Sequence, residues 1–324
     1  MANLKTVFMG TPETAVPFLD FMCREHPPAL VITMPDRPAG RGLKLTPSPV
    51  KVFAAARGIP VETADNSAAV ASALQNVKPD VAVVVAYGRL LKQDALSVPA
   101  MGCLNIHFSL LPAYRGAAPV QWALINGETE TGVSAFWLDE GMDTGPLCLA
   151  KRHPIAPEDN AASLMSKLAA FGVDILDDAL ELSAAGSPPR IAQSGKPSAA
   201  PLLRTEDSFL DFSRPAAEIH NRVRGLALGP RARVYCPAGG RKTLVQVLKT
   251  SLSPAGAGGA PGTIARVERG RGFIVECSDG AVLVESVRPE GKNTVSAWDF
   301  ANGLRLKAGD VFALPCAGRA DGAA

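Results

Sequence analysis

Two architectures in series are predicted by this sequence: an α/β unit on a mainly parallel sheet, then a small antiparallel β unit, either a barrel or a sandwich. Three observations carry that expectation. Strand-like and helix-like segments alternate through the first 186 residues, the pattern of a parallel sheet covered by helices on both faces. The stretch "AAGSPPRIAQSGKPSAAP" (184–201) then breaks the pattern with the Pro, Ser, Ala and Gly content of a linker. Beyond it, short apolar segments recur at intervals of roughly 10–15 residues between Gly-rich turns, as antiparallel strands do. The division expected is 1–186, a linker at 187–205, and 206–324.

Taken in order, "LKTVFMG" (4–10) reads as a buried strand ending at a Gly-Thr-Pro turn. "ETAVPFLDFMCRE" has helical spacing, with Pro17 tolerable only near its first turn. "ALVITM" (29–34) is a second strand. "PDRPAGRGLKLTPSPVK" (35–51) is too polar for a core and too punctuated by Pro and Gly for a regular element; a loop of that length is usually functional or disordered. A helix ("VKVFAAARG"), a short strand and a helix ("SAAVASALQNV") follow. The strand "DVAVVVAYG" (80–88) carries the continuous apolar run of a strand covered on both faces. After "MGCLNIH" come a helix near 118–126, two strand-like runs, and a long amphipathic helix from about 160 to 184. In the last third, "RARVYC", "TLVQVLKTSL", "GTIARVE", "GFIVECSD" and "AVLVESVRP" are the expected strands, and the Ala/Gly-rich tail after Pro315 is expected to be loose.

At 324 residues the chain exceeds a comfortable single core, and 47% hydrophobic residues supply one for each of two domains. No apolar run approaches the roughly 20 residues of a membrane span. The opening "MANLKTVFMGTPE" lacks the basic and apolar regions of a secretory signal. The six cysteines are scattered, without a C-x-x-C pair or a His/Cys cluster at metal spacing. Reduced thiols, a cytoplasmic location and no metal centre are therefore expected. The net charge of +2 is unevenly divided: residues 206–324 hold 16 basic and 12 acidic side chains, against 17 and 19 before them. A basic C-terminal part fits a polyanionic partner, and equally an ordinary solvated surface.

Chemistry concentrates in two places. In "CLNIHFSLLPAYRGAAPVQ" (103–121) an apolar strand delivers Asn105 and His107, two residues apart and so on one face. A carboxamide can donate to a developing oxyanion, and an imidazole can carry a proton near neutral pH. In "LDEGMDTGP" (138–146) a strand runs into a loop bearing Asp139, Glu140 and Asp143; a carboxylate beside a histidine holds its tautomer. Alone, the first is more often a structural pair at a strand end and the second an acidic turn. The Gly-Thr-Pro turn at 10–12 is no dinucleotide fingerprint, since G-x-G-x-x-G is absent. His26, His153 and His220 lack polar partners at useful spacing and read as structural.

Together, "NIHFSLLPAYRGAAP" and "DEGMDTGP" resemble the signature of the 10-formyltetrahydrofolate-dependent formyltransferases. The resemblance implies a Rossmann-like catalytic domain and an OB-like C-terminal barrel that binds tRNA. It implies catalytic roles for Asn105, His107 and Asp143, with formyl-folate as co-substrate and no metal. It assigns folate contacts to Ser109, Leu110, Leu111 and Pro112, and to the strand and loop "VVVAYGRLL" (83–91), with Val85, Tyr87 and Gly88 at the pterin pocket. Acceptors in the family include a purine-pathway ribonucleotide, a sugar nucleotide, water and an aminoacyl-tRNA. The loop at 35–51 resembles an insertion of the branch that formylates initiator methionyl-tRNA, with Arg37, Arg41 and Lys44 placed for phosphates and unpaired bases. A monomer is common in that branch. Two departures from the family pattern stand out: Phe108, where a small residue or proline is usual, and Ala113, where an arginine stands in one relative.

Overall fold

The computed structural model describes residues 4–39, 44–238, 241–253 and 258–312. The predicted tail after Pro315, like Arg41, lies outside them. The chain forms two compact units: residues 1–119, 130–155 and 163–201 make the first, and residues 120–129, 156–162 and 202–324 the second.

The first unit is built on a seven-stranded sheet. β1 (Thr6–Gly10) lies inside it, and the chain passes outward through α1 (Val16–Glu25), β2 (Pro28–Thr33), β3 (Arg37–Ala39), β4 (Lys44–Thr46), α2 (Pro49–Ala56) and β5 (Val61–Thr63). It then returns through α3 (Ser67–Val77) to β6 (Val81–Val85) on the other side of β1, and through α4 (Gln93–Leu96) to β7 (Cys103–His107). The sheet order β5-β2-β1-β6-β7 is parallel throughout. After α5 (Pro119–Ile125), the strands β8 (Glu130–Trp137) and β9 (Leu147–Pro154) add an antiparallel edge, and α6 (Ala161–Ala184) follows.

Side-chain alternation explains the layers. Val7 and Met9 of β1 join Ala82, Val84, Val70 and Leu74 in the core beneath α3. Phe18 of α1 packs on the other side against Gly172 of α6. α1 buries Phe18, Leu19, Phe21 and Met22, each contributing about 1.5–3 kcal/mol when fully covered. Pro17 sits in its first turn, where its missing N–H costs nothing. The reversal of direction between β1 and β6 creates a crevice at the carboxyl ends of the strands, where ligands of such sheets bind.

Two segments differ from the sequence expectation. Within 35–51, β3 and β4 pair as an antiparallel hairpin, Arg37 opposite Thr46 and Pro38 opposite Leu45. Ser48 then caps α2, accepting from the Lys51 N–H at 3.1 Å. Strands of three residues leave no periodicity to read, so only the Gly and Pro punctuation shows in the sequence. The second difference is the linker-like stretch, whose residues up to 201 belong to the first unit. Ile191 exchanges main-chain hydrogen bonds with Leu147, and Arg115 with Ser198 and Ala200. The Trp137 indole donates to the Pro189 carbonyl at 2.9 Å. Extended backbone that pairs through its main chain needs no apolar side chains, so its composition matches that of a tether. Residues 189–200 form a strap.

The three remaining histidines also find partners, His153 Nδ1 at 2.7 Å from the Pro154 carbonyl. His26 lies 3.3 Å from Asp177, 151 residues away in sequence, and His220 lies 3.0 Å from the Thr250 hydroxyl. His153 packs its ring on Phe171. Spacing along the chain could not reveal contacts made between elements.

The second unit contains α7 (Ala216–Gly225) and an antiparallel sheet. Its strands are β10 (Arg233–Ala238), β11 (Arg241–Ser253), β12 (Ile264–Glu268), β13 (Gly272–Glu276) and β14 (Ala281–Pro289). They pair in the order β10-β11-β14-β13-β12; β15 (Val295–Ser296) adds to β14 and α8 (Ala297–Leu304) follows. Phe273, Phe300, Phe312 and Phe212 build an aromatic core, with the Phe273 and Phe312 rings stacked 5.5 Å apart. Part of the basic excess is structural: Arg224 donates to the Ala156 carbonyl at 3.1 Å, and Arg222 to that of Asp207.

Candidate active site

β7 carries the first half of the site because it lies between β6 and β8, with Asn105 opposite Val84 on one side and Phe136 on the other. Asn105 and His107 therefore leave the sheet on one face near the carboxyl ends of β6 and β7. The Asn105 side chain makes no hydrogen bond among the described residues and faces a cleft of about 430 Å³. Its two amide hydrogens are free to donate.

His107 is buried and held firmly. Its Nε2 lies 2.9 Å from the Tyr114 carbonyl oxygen. A carbonyl only accepts, so Nε2 carries the proton and, in the neutral ring, Nδ1 carries the lone pair. Nδ1 faces Asp143 Oδ2 at 3.7 Å, beyond hydrogen-bond length. The edge of Phe136 packs on the ring with centroids 6.3 Å apart. Burial pushes the imidazole pKa below 6.5, while the Asp143 carboxylate and the Tyr114 carbonyl pull it back up. The neutral ring is therefore the form favoured at pH 7.

Asp143 enters from the loop after β8. Asp139 shapes that loop by accepting from the Gly141 N–H at 3.1 Å and the Thr144 hydroxyl at 2.7 Å, an Asx turn. Glu140 accepts from the Gln93 N–H. Of the three carboxylates, only Asp143 meets the histidine. It is buried, with a φ of 54°, and its Oδ2 accepts from the Gly116 N–H at 2.7 Å. Gly116 has a φ of 127°, and a Cβ there would stand 2.6 Å from the Ala200 carbonyl oxygen, so glycine alone fits.

The other expected positions separate into two groups. Tyr87 and Gly88 line the cleft together with Val84, Ala86 and Arg89 to Leu91. The Tyr87 hydroxyl donates to the Ala64 carbonyl, and burial raises its pKa to about 12. Val85 is buried in β6, and Ser109 and Leu111 are buried in the turn after His107. Ser109 donates to the Ala113 carbonyl at 2.6 Å, and Leu110 packs against Gly132. Val85, Ser109, Leu110, Leu111 and Pro112 are not among the residues that line the cleft; the turn at 109–114 delivers the Tyr114 carbonyl to His107. Phe108 packs edge-on against Phe18, centroids 6.1 Å apart, beneath the cleft it helps to line.

A second pocket, of about 360 Å³, shares the Ala86–Gly88 turn with the cleft and is bordered by Thr11, Met34 and Arg37. Arg37 and Lys44 are exposed on the hairpin. Among the described residues no group of His, Cys, Asp and Glu is arranged to hold a metal ion, and no helix is long and apolar enough to cross a membrane.

Sequence reasoning missed Gln193 on the strap. Its Nε2 donates to the carbonyls of Asp143 (2.9 Å) and Gly145 (2.8 Å). Its Oε1 accepts from Arg115 Nη2 at 2.6 Å and Nε at 3.2 Å. No local signal marks it, because it lies 50 residues from Asp143 in a stretch of linker composition.

An α/β sheet whose cleft, at the carboxyl ends of β6 and β7, gathers an amide, an imidazole and a carboxylate defines a group-transfer enzyme of the carbonyl type. The chain belongs to the formyl transferase family: residues 4–180 match the model described as formyl transferase, and residues 202–305 the model of its C-terminal domain. The methionyl-tRNA formyltransferase of Elusimicrobium minutum is 41% identical over 330 residues, covering 95% of this chain and 99% of its own. That of Geobacter sulfurreducens is 40% identical over 320 residues, covering 95% and 96%. Among solved structures, HypX from Aquifex aeolicus in complex with tetrahydrofolic acid superposes with a TM-score of 0.65 at 17% identity, covering 94% of this chain and 48% of that one. The sugar 3N-formyl transferase WlaRD gives a TM-score of 0.65 at 20% identity, covering 90% and 100%. At those identities the two structures attest the fold.

Proposed function

We propose that this enzyme transfers the formyl group of 10-formyltetrahydrofolate to the α-amino group of methionyl initiator tRNA, giving N-formylmethionyl-tRNA for translation initiation. The observation that carries the reading is the meeting of Asn105, His107 and Asp143 on one cleft. Relatives of that name, 40–41% identical over nearly the whole chain, support the choice of acceptor.

The chemistry follows from the site. A formamide carbonyl is a poor electrophile, so the barrier depends on stabilising the oxyanion formed when the amine adds. Asn105 donates to that oxygen from a carboxamide with no competing partner. Neutral His107 and Asp143 present a lone pair and a carboxylate 3.7 Å apart, a place for the one proton that the attacking amine must lose. With that proton on Nδ1, the imidazolium sets positive charge beside the oxyanion. The pair then returns the proton to N10 as the C–N10 bond breaks, so the new C–N bond forms without net change in the enzyme.

The cleft suits a fused heterocycle: its walls are mainly apolar and Leu90 and Met142, which help line it, are exposed apolar side chains. Tyr87 and Gly88 would border the pterin, while Val85 and the turn Ser109–Pro112 support it from behind. Arg37 and Lys44, with Arg41, are assigned to the acceptor arm of the tRNA, and residues 206–324 to its further binding. We take the enzyme to be a cytoplasmic monomer; the free thiols Cys23, Cys103, Cys148, Cys236 and Cys277 suit a reducing compartment.

One assay tests the reading. Charged initiator tRNA, charged elongator tRNA and a purine-precursor amine are each offered with labelled formyl donor. Label moving to the initiator tRNA alone is the expected result. Equal or preferred labelling of the small amine would overturn the acceptor.

A further inference from the structure

We infer that Gln193, held by Arg115, is a positioning residue for the His107–Asp143 pair. The geometry is specific. Both hydrogens of its Nε2 are used on the carbonyls of Asp143 and Gly145, on either side of Thr144. Its Oε1 takes two donors from the Arg115 guanidinium. Turning the amide over would set Oε1 against two carbonyls and NH2 against a cation, so its orientation is unique.

Arg115 lies between the two residues that grip the pair. Tyr114 holds His107 through its carbonyl, and Gly116 holds Asp143 through its N–H. The Arg115 main chain is itself fixed to the strap, donating to the Ser198 carbonyl at 2.8 Å and accepting from the Ala200 N–H at 2.7 Å. Gln193 thus joins the two loops at the points where each presents one member of the pair. Asp143, at a φ of 54°, has a conformation that a non-glycine residue keeps only when its surroundings impose it. The two bonds from Gln193 to the carbonyls of Asp143 and Gly145 supply that constraint. Other charged groups of the cleft, Arg89 and Asp139, lie outside this network.

The inference rests on the proposed formyl transfer only for its kinetic arm. Gln193→Ala and Gln193→Glu are made in the full-length chain. The second keeps the volume and the Arg115 contact but cannot donate to two carbonyls. Three quantities are read: the urea midpoint, the His107 ring titration by NMR without substrate, and kcat and KM for formyl transfer. A positioning role predicts that kcat falls about 10- to 100-fold in both variants, the scale of an ångström's misplacement, with KM changed far less. It also predicts that the His107 titration moves to lower pH in Gln193→Ala, because Asp143 drifts from the ring. Unchanged titration and kcat in Gln193→Ala, whatever its stability, would overturn the inference. Wild-type behaviour of Gln193→Glu would overturn it too, leaving the Arg115 contact as the whole effect. If the unaltered enzyme transfers no formyl group, the functional reading fails while the titration still decides this one.

Discussion

Asp143→Asn isolates the proton-accepting role from the architecture. The replacement is nearly isosteric, and asparagine enters the left-handed region more readily than most residues, so the φ of 54° is retained. The amide oxygen can keep the 2.7 Å bond from the Gly116 N–H. That oxygen is also the atom that faces His107 Nδ1 at 3.7 Å, and as an amide oxygen it carries no charge and is too weak a base to share the proton. What is lost is general-base assistance, about 10²–10⁴-fold in rate, or roughly 3–5 kcal/mol at 1.36 kcal/mol per tenfold. The acid limb of the rate profile should move as well. Burial already sets the His107 pKa below 6.5, and the Asp143 charge is the larger of the two influences that raise it. Removing the charge therefore shifts the limb to lower pH, as the apparent value of the pair changes. Single-turnover formylation of charged initiator tRNA from pH 5 to 8, alongside urea unfolding, measures both effects. A rate within threefold of wild type, or a limb moving to higher pH, would refute the assignment. A collapse in stability with the rate per folded molecule unchanged would make Asp143 structural.

Two further outcomes are expected. Asn105→Ala should lower kcat by about 10²–10³, the usual effect of deleting one oxyanion donor, and leave the urea midpoint unchanged because the carboxamide supports nothing else; a near-normal rate would remove Asn105 from the chemistry. Gly116→Ala should destabilise the first unit by about 2–4 kcal/mol through backbone strain and overpacking, since its Cβ would lie 2.6 Å from a carbonyl oxygen; differential calorimetry showing wild-type stability would rule out so close an approach.

Much of this molecule could be read before its fold was known, for reasons that differ by element. β6 declared itself because VAVVV must be covered on both faces, and all five residues are buried. Asn105 and His107 were visible because residues two apart on a strand share a face. The antiparallel strands after residue 230 showed through apolar runs between Gly-rich turns. The hairpin at 37–46 escaped because three-residue strands have no period. The strap escaped because main-chain pairing leaves no mark on composition. The hold on His107 was also hidden: its partner is a carbonyl oxygen, which every residue possesses, so no side-chain pattern could have announced Tyr114. Asp143 was expected to orient the ring, yet the 2.9 Å contact to Tyr114 does so, and Asp143 stands across from the other nitrogen.

The course of residues 189–200 bears on where this chain can be cut or grafted. A fragment ended at residue 186, where composition changes, would keep every strand of its sheet yet leave the rims of its cleft unlaced. Any module exchanged among such enzymes, by recombination or by design, has to carry those dozen residues with the sheet and place its seam beyond Pro201.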